Sequence, residues 1–269
     1  MPRALMTCRN LIGDGLYSQP ALEEWSKDHP GWEIDLLTND DHISPIYQYM
    51  GIPNMRVVFD RMYRTYDFEF EFQVNKAFDY SNENKCHLLT SYGKMLGYDI
   101  EPRRVTFIPS KADDHEKGLV LFSMFSASCA SRGTPPGLPN KMISWAHWLP
   151  ILALGRQLGK VVVLGGPDDR AELPISEDEY YTGIPLELVA RMMRDAKVLI
   201  TLDNGMGHLA ATQGTPTVLF YPMALGLHYI VPAGNPNCYV LQMDPVRLEV
   251  KDAVTFVRQS LRRIGGTRK

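Results

Sequence analysis

The chain has 269 residues, of which 45% are hydrophobic and 22% are charged. This composition is typical of globular proteins and excludes disorder, collagen and coiled coil as descriptions of the whole chain. At about 150 residues per domain, the length predicts one large domain or two small ones. The 28 basic and 31 acidic residues leave a formal net charge of −3, so nucleic acid is not favoured as a partner, although it stays open.

The cysteines and the apolar runs bear on the compartment in which the protein works. The four cysteines lie far apart and form no CxxC pair, which indicates neither a zinc site nor a disulfide framework. The apolar stretch at the amino terminus is too short for a signal peptide, and no apolar run approaches the ~18 residues that span a bilayer. We therefore expect a soluble cytoplasmic protein without a transmembrane segment, for which peripheral membrane contact stays open.

The first part of the chain alternates short apolar runs with helical patterns. Residues 9–15 are predicted to form a loop, and in residues 66–72 aromatic and acidic side chains alternate, which predicts a half-exposed strand. The predicted strands are 4–8, 32–37, 55–59 and 66–72, and the predicted helices begin at Leu16 and cover 43–50 and 87–96. Strands that alternate with helices favour βαβ units and a parallel sheet.

The polar segment 109–118, with a proline near one end and a glycine at the other, is a candidate linker. Beyond it, strands are predicted at 119–125, 161–164, 198–202, 217–220 and 239–242, and helices at 143–158, 186–195, 207–213 and from Val250 onward. The prediction is an α/β protein of two Rossmann-like domains, residues 1–115 and 116–269, whose parallel sheets face a central cleft. In such sheets ligands bind beyond the carboxyl ends of the strands.

The strongest local signal is the turn Asp203-Asn204-Gly205, which follows a buried strand and precedes a helix of small residues. Backbone N–H groups at such a helix start can bind an anion, and glycine permits its close approach. His208, in the first helical turn, is placed to add a donor to a phosphate. Alternatively, Asp203 or Asn204 only caps the helix and His208 packs in the core. The residues alone leave both interpretations open.

The segment 203–211, followed by 214–218, resembles the donor-site signature of the heptosyltransferase-type glycosyltransferases, which have the GT-B fold. The opening of the chain is similar to the family as well, through Gly13-Asp14, 20–22, Pro30 and 34–37. Family members usually carry Asp-Ser-Gly or Asp-Thr-Gly where this chain has Asp203-Asn204-Gly205. Residues 55–118 and the loop 126–141 match the family poorly.

The resemblance assigns Asp14 to the position of the family's proposed catalytic base. Transfer of a sugar requires a base that takes the proton of the acceptor hydroxyl, and Asp14 lies between two glycines after the first predicted strand. The alternative interpretation is that Asp14 is the N-cap of the helix that follows.

The resemblance also suggests residues that bind the donor. Ser126, Ser128, Lys141 and the amides around Asn204 and Gly205 are candidates for the diphosphate. Asp169 is the candidate for the ribose hydroxyls and Ile184 for a contact with the nucleobase. Alternatively, Lys141 is a solvated lysine at a helix start, and Asp169 belongs to a simple turn.

The resemblance implies an inverting, metal-independent glycosyltransferase that uses a nucleotide sugar, with an ADP-linked heptose favoured, and no cofactor. The acceptor stays open, and the alternatives are lipopolysaccharide core, a modified base in DNA or a small metabolite. Two further functions remain alternatives. One is a nucleotide-sugar epimerase or hydrolase of the same fold, and the other is a non-catalytic protein that binds nucleotide sugars.

Overall fold

The computed structural model describes residues 1–8, 11–38, 41, 43–107, 109, 116–125, 141–165, 175–222 and 231–266. The chain divides into two compact units. The first comprises Met1–Ser110 together with His228–Gly234, and the second comprises Lys111–Leu227 and Asn235–Lys269.

The first unit contains a four-stranded parallel sheet with helices between its strands. In chain order its elements are β1 (Arg3–Thr7), α1 (Ile12–Asp28), β2 (Glu33–Leu37), α2 (Ser44–Gln48), β3 (Met55–Val58), β4 (Phe68–Glu71), α3 (Val74–Asn84) and α4 (Leu88–Met95). The strand order is β3-β2-β1-β4, so the direction of winding reverses between β1 and β4. Strand β4 has the predicted alternation, with Glu69 and Glu71 exposed and the intervening aromatic residues partly buried.

Two helices of the first unit differ from the prediction. Helix α1 begins at Ile12, about one turn earlier than expected, so that Gly13 and Gly15 are helical residues. Glycine disfavours a helix interior by only about 1 kcal/mol, and the packing of α1 on the sheet outweighs that cost. Helix α3 was not predicted, because it buries only Ala77 and Ser81 and therefore shows no apolar stripe.

The second unit contains a six-stranded parallel sheet. In chain order its elements are β5 (Val120–Ser123), α5 (Trp145–Leu158), β6 (Val161–Gly165), a 3₁₀ turn (Glu177–Glu179), β7 (Tyr180–Thr182), α6 (Leu186–Asp195), β8 (Val198–Leu202), α7 (Gly205–Gln213), β9 (Thr217–Pro222), β10 (Cys238–Met243) and α8 (Val250–Gly266). The prediction of an α/β protein with parallel sheets in both halves is confirmed.

The strand order of the second sheet is β10-β9-β8-β5-β6-β7. If the six strands β5 to β10 are renumbered 1 to 6 in chain order and read from the β7 edge, the order is 3-2-1-4-5-6. This is the strand order of doubly wound nucleotide-binding folds. The winding direction reverses between β5 and β8, which are neighbours in the sheet. Folds of this kind bind their ligands in the crevice at that reversal, beyond the carboxyl ends of the strands.

Close packing of helices on the sheet builds the core of the second unit. Phe122, Trp148 and Phe220 are buried in one cluster, and Gly155 of α5 lies against Phe122, where an added Cβ atom would be 2.8 Å from the ring. A larger residue at position 155 would therefore move α5 away from the sheet. No helix in the described ranges is long and apolar enough to cross a membrane.

In the first unit, His87 joins α4 to the segment that returns to this unit from the second half of the chain. As the N-cap of α4, His87 accepts a hydrogen bond at Nδ1 from the Leu89 amide, 3.1 Å away. Its Nε2 therefore carries the proton of the neutral ring and donates to the carbonyl of Val231, 3.0 Å away. Burial lowers the pKa of His87, which agrees with this neutral form.

We expect His87→Ala to lower the free energy of unfolding by about 1–3 kcal/mol near neutral pH, since the cap and a buried hydrogen bond are lost. Because the folded state lowers the pKa of His87, wild type loses stability as the pH falls below the ordinary histidine value of 6.5. The variant should lack this part of the pH dependence. Denaturant unfolding between about pH 5 and 8 measures both effects.

His29→Ala is the control for this prediction. His29 lies in the same unit, stacks on Trp25 and is only partly buried. This variant keeps His87 and should therefore keep the pH dependence that His87 contributes. An equal pH dependence in His87→Ala and wild type would contradict the role given to His87.

Candidate functional site

In the second unit, the turn that follows β8 leads directly into α7. Asn204 is the N-cap of this helix, and its Oδ1 accepts hydrogen bonds from the amides of Met206 and Gly207 at 3.0 and 3.3 Å. Thr201 Oγ1 also lies within hydrogen-bond distance of this oxygen, 3.1 Å away. The interpretation of Asn204 as a helix cap is therefore confirmed.

The amide end of the Asn204 side chain binds the neighbouring strand. Its Nδ2 donates to the carbonyl of Phe125 at 2.7 Å and to Ser123 Oγ at 2.9 Å. Ser123 is the last residue of β5 and Phe125 follows soon after it. One side chain thus connects the ends of β5 and β8, the two strands between which the sheet reverses its winding.

The start of α7 presents backbone N–H groups at the carboxyl edge of the sheet. Gly205 is the first helical residue and is partly exposed. The helix dipole and the amides of the first turn favour an anion at this position. His208 lies in the same helix and is 8% exposed, so it offers little surface to a ligand in this conformation.

Lys141 pairs with the aspartate of the same turn. Its Nζ lies 2.6 Å from Asp203 Oδ2, and the exposed fractions of the two side chains are 14% for Lys141 and 3% for Asp203. The alternative interpretation, a solvated lysine at a helix start, is wrong, since Lys141 is largely buried and α5 begins only at Trp145. Burial of the Asp203 carboxylate requires such a partner, because an unpaired buried charge is costly.

Other residues predicted to bind the donor have mixed outcomes. Ile184 follows β7, after Gly183 in the left-handed conformation, and is partly exposed. Since β7 is parallel to the rest of the sheet, Ile184 lies at the same edge as the turn after β8. Ser126, Ser128 and Asp169 lie outside the described residues. The assignment of all these residues to a donor stays a prediction.

In the first unit, Asp14 lies in the first turn of α1, directly beyond the carboxyl end of β1. It is not the N-cap, so that alternative interpretation is wrong. The N-cap is Leu11, whose side chain makes no capping bond. Asp14 is partly exposed, and its negative charge is favourable in the first turn of a helix. This is an arrangement in which a carboxylate can stay ionised and still reach a ligand.

The structure adds a residue that sequence reasoning missed. Tyr92 of α4 donates a hydrogen bond from its hydroxyl to Asp14 Oδ1, 3.0 Å away and 78 positions apart in the chain. Burial, together with the negative charge of Asp14, raises the pKa of Tyr92. No local pattern could have revealed this partner, because Tyr92 occupies an ordinary buried position of its helix.

Beneath the start of α1 lies a buried polar cluster. Tyr47 Oη is 2.5 Å from Cys8 Sγ and 3.2 Å from Ser18 Oγ, and Ser18 Oγ donates to the carbonyl of Gly15 at 2.9 Å. A Cβ atom at Gly15 would lie 3.2 Å from the Tyr47 hydroxyl oxygen. Gly15 thus lets the first turn of α1 lie directly on this cluster.

Metal ions in proteins are held by the side chains of His, Cys, Asp and Glu. Within the ranges that the structure describes, no three side chains of His, Cys, Asp or Glu come together in a group that could hold a metal ion. The expectation of a metal-independent reaction stays a prediction.

The two ends of the Asn204 side chain can be tested separately. Asn204→Asp keeps an oxygen for the cap but places a carboxylate oxygen beside the Phe125 carbonyl, where Nδ2 now donates. We expect the free energy of unfolding to fall by about 1–3 kcal/mol, as measured by denaturant unfolding at pH 7. The control is Asn237→Asp in the same unit, where the backbone amide of Asn237, and not its side chain, donates a hydrogen bond to Asn235 Oδ1. Equal losses in the two variants would argue against a stabilising role for the bonds from Asn204 Nδ2 to the end of β5.

Comparison with known proteins finds solved structures of the same fold. No protein-family model matches the sequence, and no curated protein matches it. Among solved structures, the iron-containing dodecameric glycosyltransferase TibC from enterotoxigenic E. coli H10407 is 16% identical, with a TM-score of 0.71 over 100% of this chain and 77% of TibC.

Two further structures are similar over nearly their whole length. A family 9 glycosyl transferase from Veillonella parvula DSM 2008 is 16% identical, with a TM-score of 0.67 over 97% of both chains. The E. coli heptosyltransferase WaaC, solved with ADP, is 14% identical, with a TM-score of 0.65 over 96% of this chain and 99% of WaaC. The chain therefore has the GT-B fold of the heptosyltransferase-type glycosyltransferases, as the sequence resemblance predicted.

Proposed function

We propose that the chain is a glycosyltransferase that moves a sugar from a nucleotide sugar to an acceptor hydroxyl. The observation that carries the proposal is the turn of Asp203, Asn204 and Gly205, placed with Lys141 at the reversal of a doubly wound sheet. Nucleotides bind at that place in open α/β sheets. TibC has been solved with ADP-heptose and WaaC with ADP, which supports an ADP-linked donor, with heptose as the favoured sugar.

In this proposal the second unit holds the diphosphate. The amides at the start of α7, that of Gly205 first, face the negative charge that develops on the leaving group. The Lys141 ammonium is paired with Asp203, and since it has three N–H donors it can keep Asp203 while it binds a phosphate oxygen. The Asn204 side chain is already bonded to the protein at both ends. Contact with the diphosphate at this position therefore comes from the backbone.

The first unit supplies the base. Asp14, ionised and partly exposed at the carboxyl edge of its sheet, takes the proton of the acceptor hydroxyl as the sugar is transferred. We propose an inverting, metal-independent reaction, because one carboxylate base and a set of positive dipoles meet its chemical needs.

Ser126, Ser128, Asp169, Ile184 and His208 stay predicted donor contacts. The cytoplasmic location also stays a prediction from the sequence.

The donor site is tested by thermal shift with ADP, UDP, GDP and the sugars linked to them. A ligand at 100 times its dissociation constant should stabilise the fold by about 2.7 kcal/mol. We expect the ADP-linked compounds to give the largest shift. Adenosine is the control, since it lacks the diphosphate and should give a much smaller shift at equal concentration. Absence of a shift with every nucleotide would refute the donor site.

The base is tested with Asp14→Asn. We expect the release of ADP from ADP-heptose, measured over a panel of hydroxyl acceptors, to fall by about 10²-fold or more, while the thermal shift with ADP is unchanged. Asp28→Asn is the matched control. Asp28 ends the same helix, and its carboxylate accepts a hydrogen bond from the hydroxyl of Tyr98.

The outcomes of this experiment separate the alternatives. Unchanged turnover in Asp14→Asn would refute the role of Asp14 as the base. Release of free sugar by wild type without any acceptor would instead indicate a hydrolase. Binding of ADP-heptose without turnover against every acceptor would indicate a non-catalytic nucleotide-sugar-binding protein.

A further inference from the structure

We propose that Tyr92 is a positioning residue for Asp14, and that its hydroxyl orients the carboxylate and keeps it ionised until the acceptor hydroxyl gives up its proton. The inference rests on the proposed function in so far as Asp14 is the base. The contact itself is a property of the first unit and can be measured without any substrate.

The ring of Tyr92 is held rigidly. Its side chain is fully buried and packs edge-on against Phe72, with the ring centroids 5.9 Å apart. The adjacent Gly93 lets α4 approach Ile100 closely, since an added Cβ atom would lie 2.8 Å from Ile100 Cγ1. With ring and helix both fixed, the hydroxyl has a defined position relative to α1.

The chemistry of the two groups sets the direction of the hydrogen bond. An ionised carboxylate can only accept, so the Tyr92 hydroxyl must donate to Asp14 Oδ1. Burial and the charge of Asp14 raise the pKa of Tyr92, so the phenol keeps its proton throughout the range in which an aspartate works as a base. A hydrogen bond to the charged form of an acid favours that form.

Two other polar groups, Tyr47 and Cys8, lie near this contact. Tyr47 approaches from α2, and Cys8 lies just beyond β1. The Tyr47 hydroxyl is bonded to Cys8 Sγ and lies within hydrogen-bond distance of Ser18 Oγ, and burial raises the pKa of Tyr47. Tyr47 is therefore uncharged near neutral pH, and its hydroxyl hydrogen-bonds to Cys8 and Ser18.

The geometry also indicates what is lost without the hydroxyl. The Asp14 carboxylate would keep its place in the first turn of α1 but lose the donor that fixes one of its oxygens. Orientation of a base relative to the atom it deprotonates affects the rate strongly. The loss should therefore be seen in kcat and in the acid limb of the pH profile, and not in the binding of the donor, which the second unit provides.

The first experiment titrates the carboxyl carbon of Asp14 by ¹³C NMR in the intact protein, without a ligand. In Tyr92→Phe the titration midpoint of Asp14 should move up by about one pH unit, because the bond that favours the charged form is gone. Tyr98→Phe is the matched control, since Tyr98 bonds to Asp28 at the other end of α1. It should leave the titration midpoint of Asp14 unchanged. An Asp14 midpoint that is equal in wild type and Tyr92→Phe overturns the proposal.

A measurement on wild type keeps the test valid if Tyr92→Phe does not fold. The Cζ resonance of Tyr92 should shift together with the titration of Asp14, and this acid-range shift should be absent from Asp14→Asn. A Tyr92 resonance that does not follow Asp14 overturns the proposal in the same way.

The second experiment follows ADP release from ADP-heptose against pH. In Tyr92→Phe we expect kcat to fall about tenfold and the acid limb of kcat/KM to move with the Asp14 midpoint, while KM for ADP-heptose stays as in wild type. A normal pH profile with a shifted Asp14 midpoint would overturn Asp14 as the base and leave the contact standing. If Asp14→Asn abolishes turnover but Tyr92→Phe changes neither the Asp14 midpoint nor the pH profile of kcat/KM, only the positioning role of Tyr92 is overturned.

Discussion

The carboxamide of Asn204 is the interaction on which the second unit's site depends. A carboxamide has one accepting and one donating end, and here the oxygen caps α7 while the nitrogen binds the end of β5. Strands β5 and β8 are paired in the sheet up to Ser123 and Thr201, and the Asn204 side chain adds a link from the start of α7 to the end of β5. The amides of α7 are consequently fixed at the place where a doubly wound sheet offers its crevice.

Charge at this edge is balanced before any ligand binds. Lys141 and Asp203 form a buried pair at 2.6 Å, and the pair lies beside the start of a helix that favours an anion. The first unit uses a related arrangement, in which a carboxylate in the first turn of a helix receives a hydrogen bond from a buried tyrosine. In each unit a polar residue that follows a strand is held by a partner from a distant part of the chain.

Local sequence patterns predicted the helices and strands well where the buried residues form a clear pattern. Helix α6 and strand β8 have the predicted bounds, Leu186–Asp195 and Val198–Leu202, because one has a clear apolar face and the other is buried throughout. The start of α1 was placed too late, since Gly13 and Gly15 suggested a loop. Helix α3 was missed because its buried face consists of only two small residues. Glycine permits a turn but does not require one.

The sequence by itself determined the alternation of strands and helices, the Asp-Asn-Gly turn after a buried strand, and Asp14 after the first strand. These features depend on neighbours in the chain, so their periods and spacings are visible in the sequence. Only the tertiary structure decided that Asn204 bonds to β5, that Lys141 is paired with Asp203, and that Tyr92 bonds to Asp14. Each of these contacts joins residues more than sixty positions apart, and such pairs become neighbours only when strand order and helix packing bring them together.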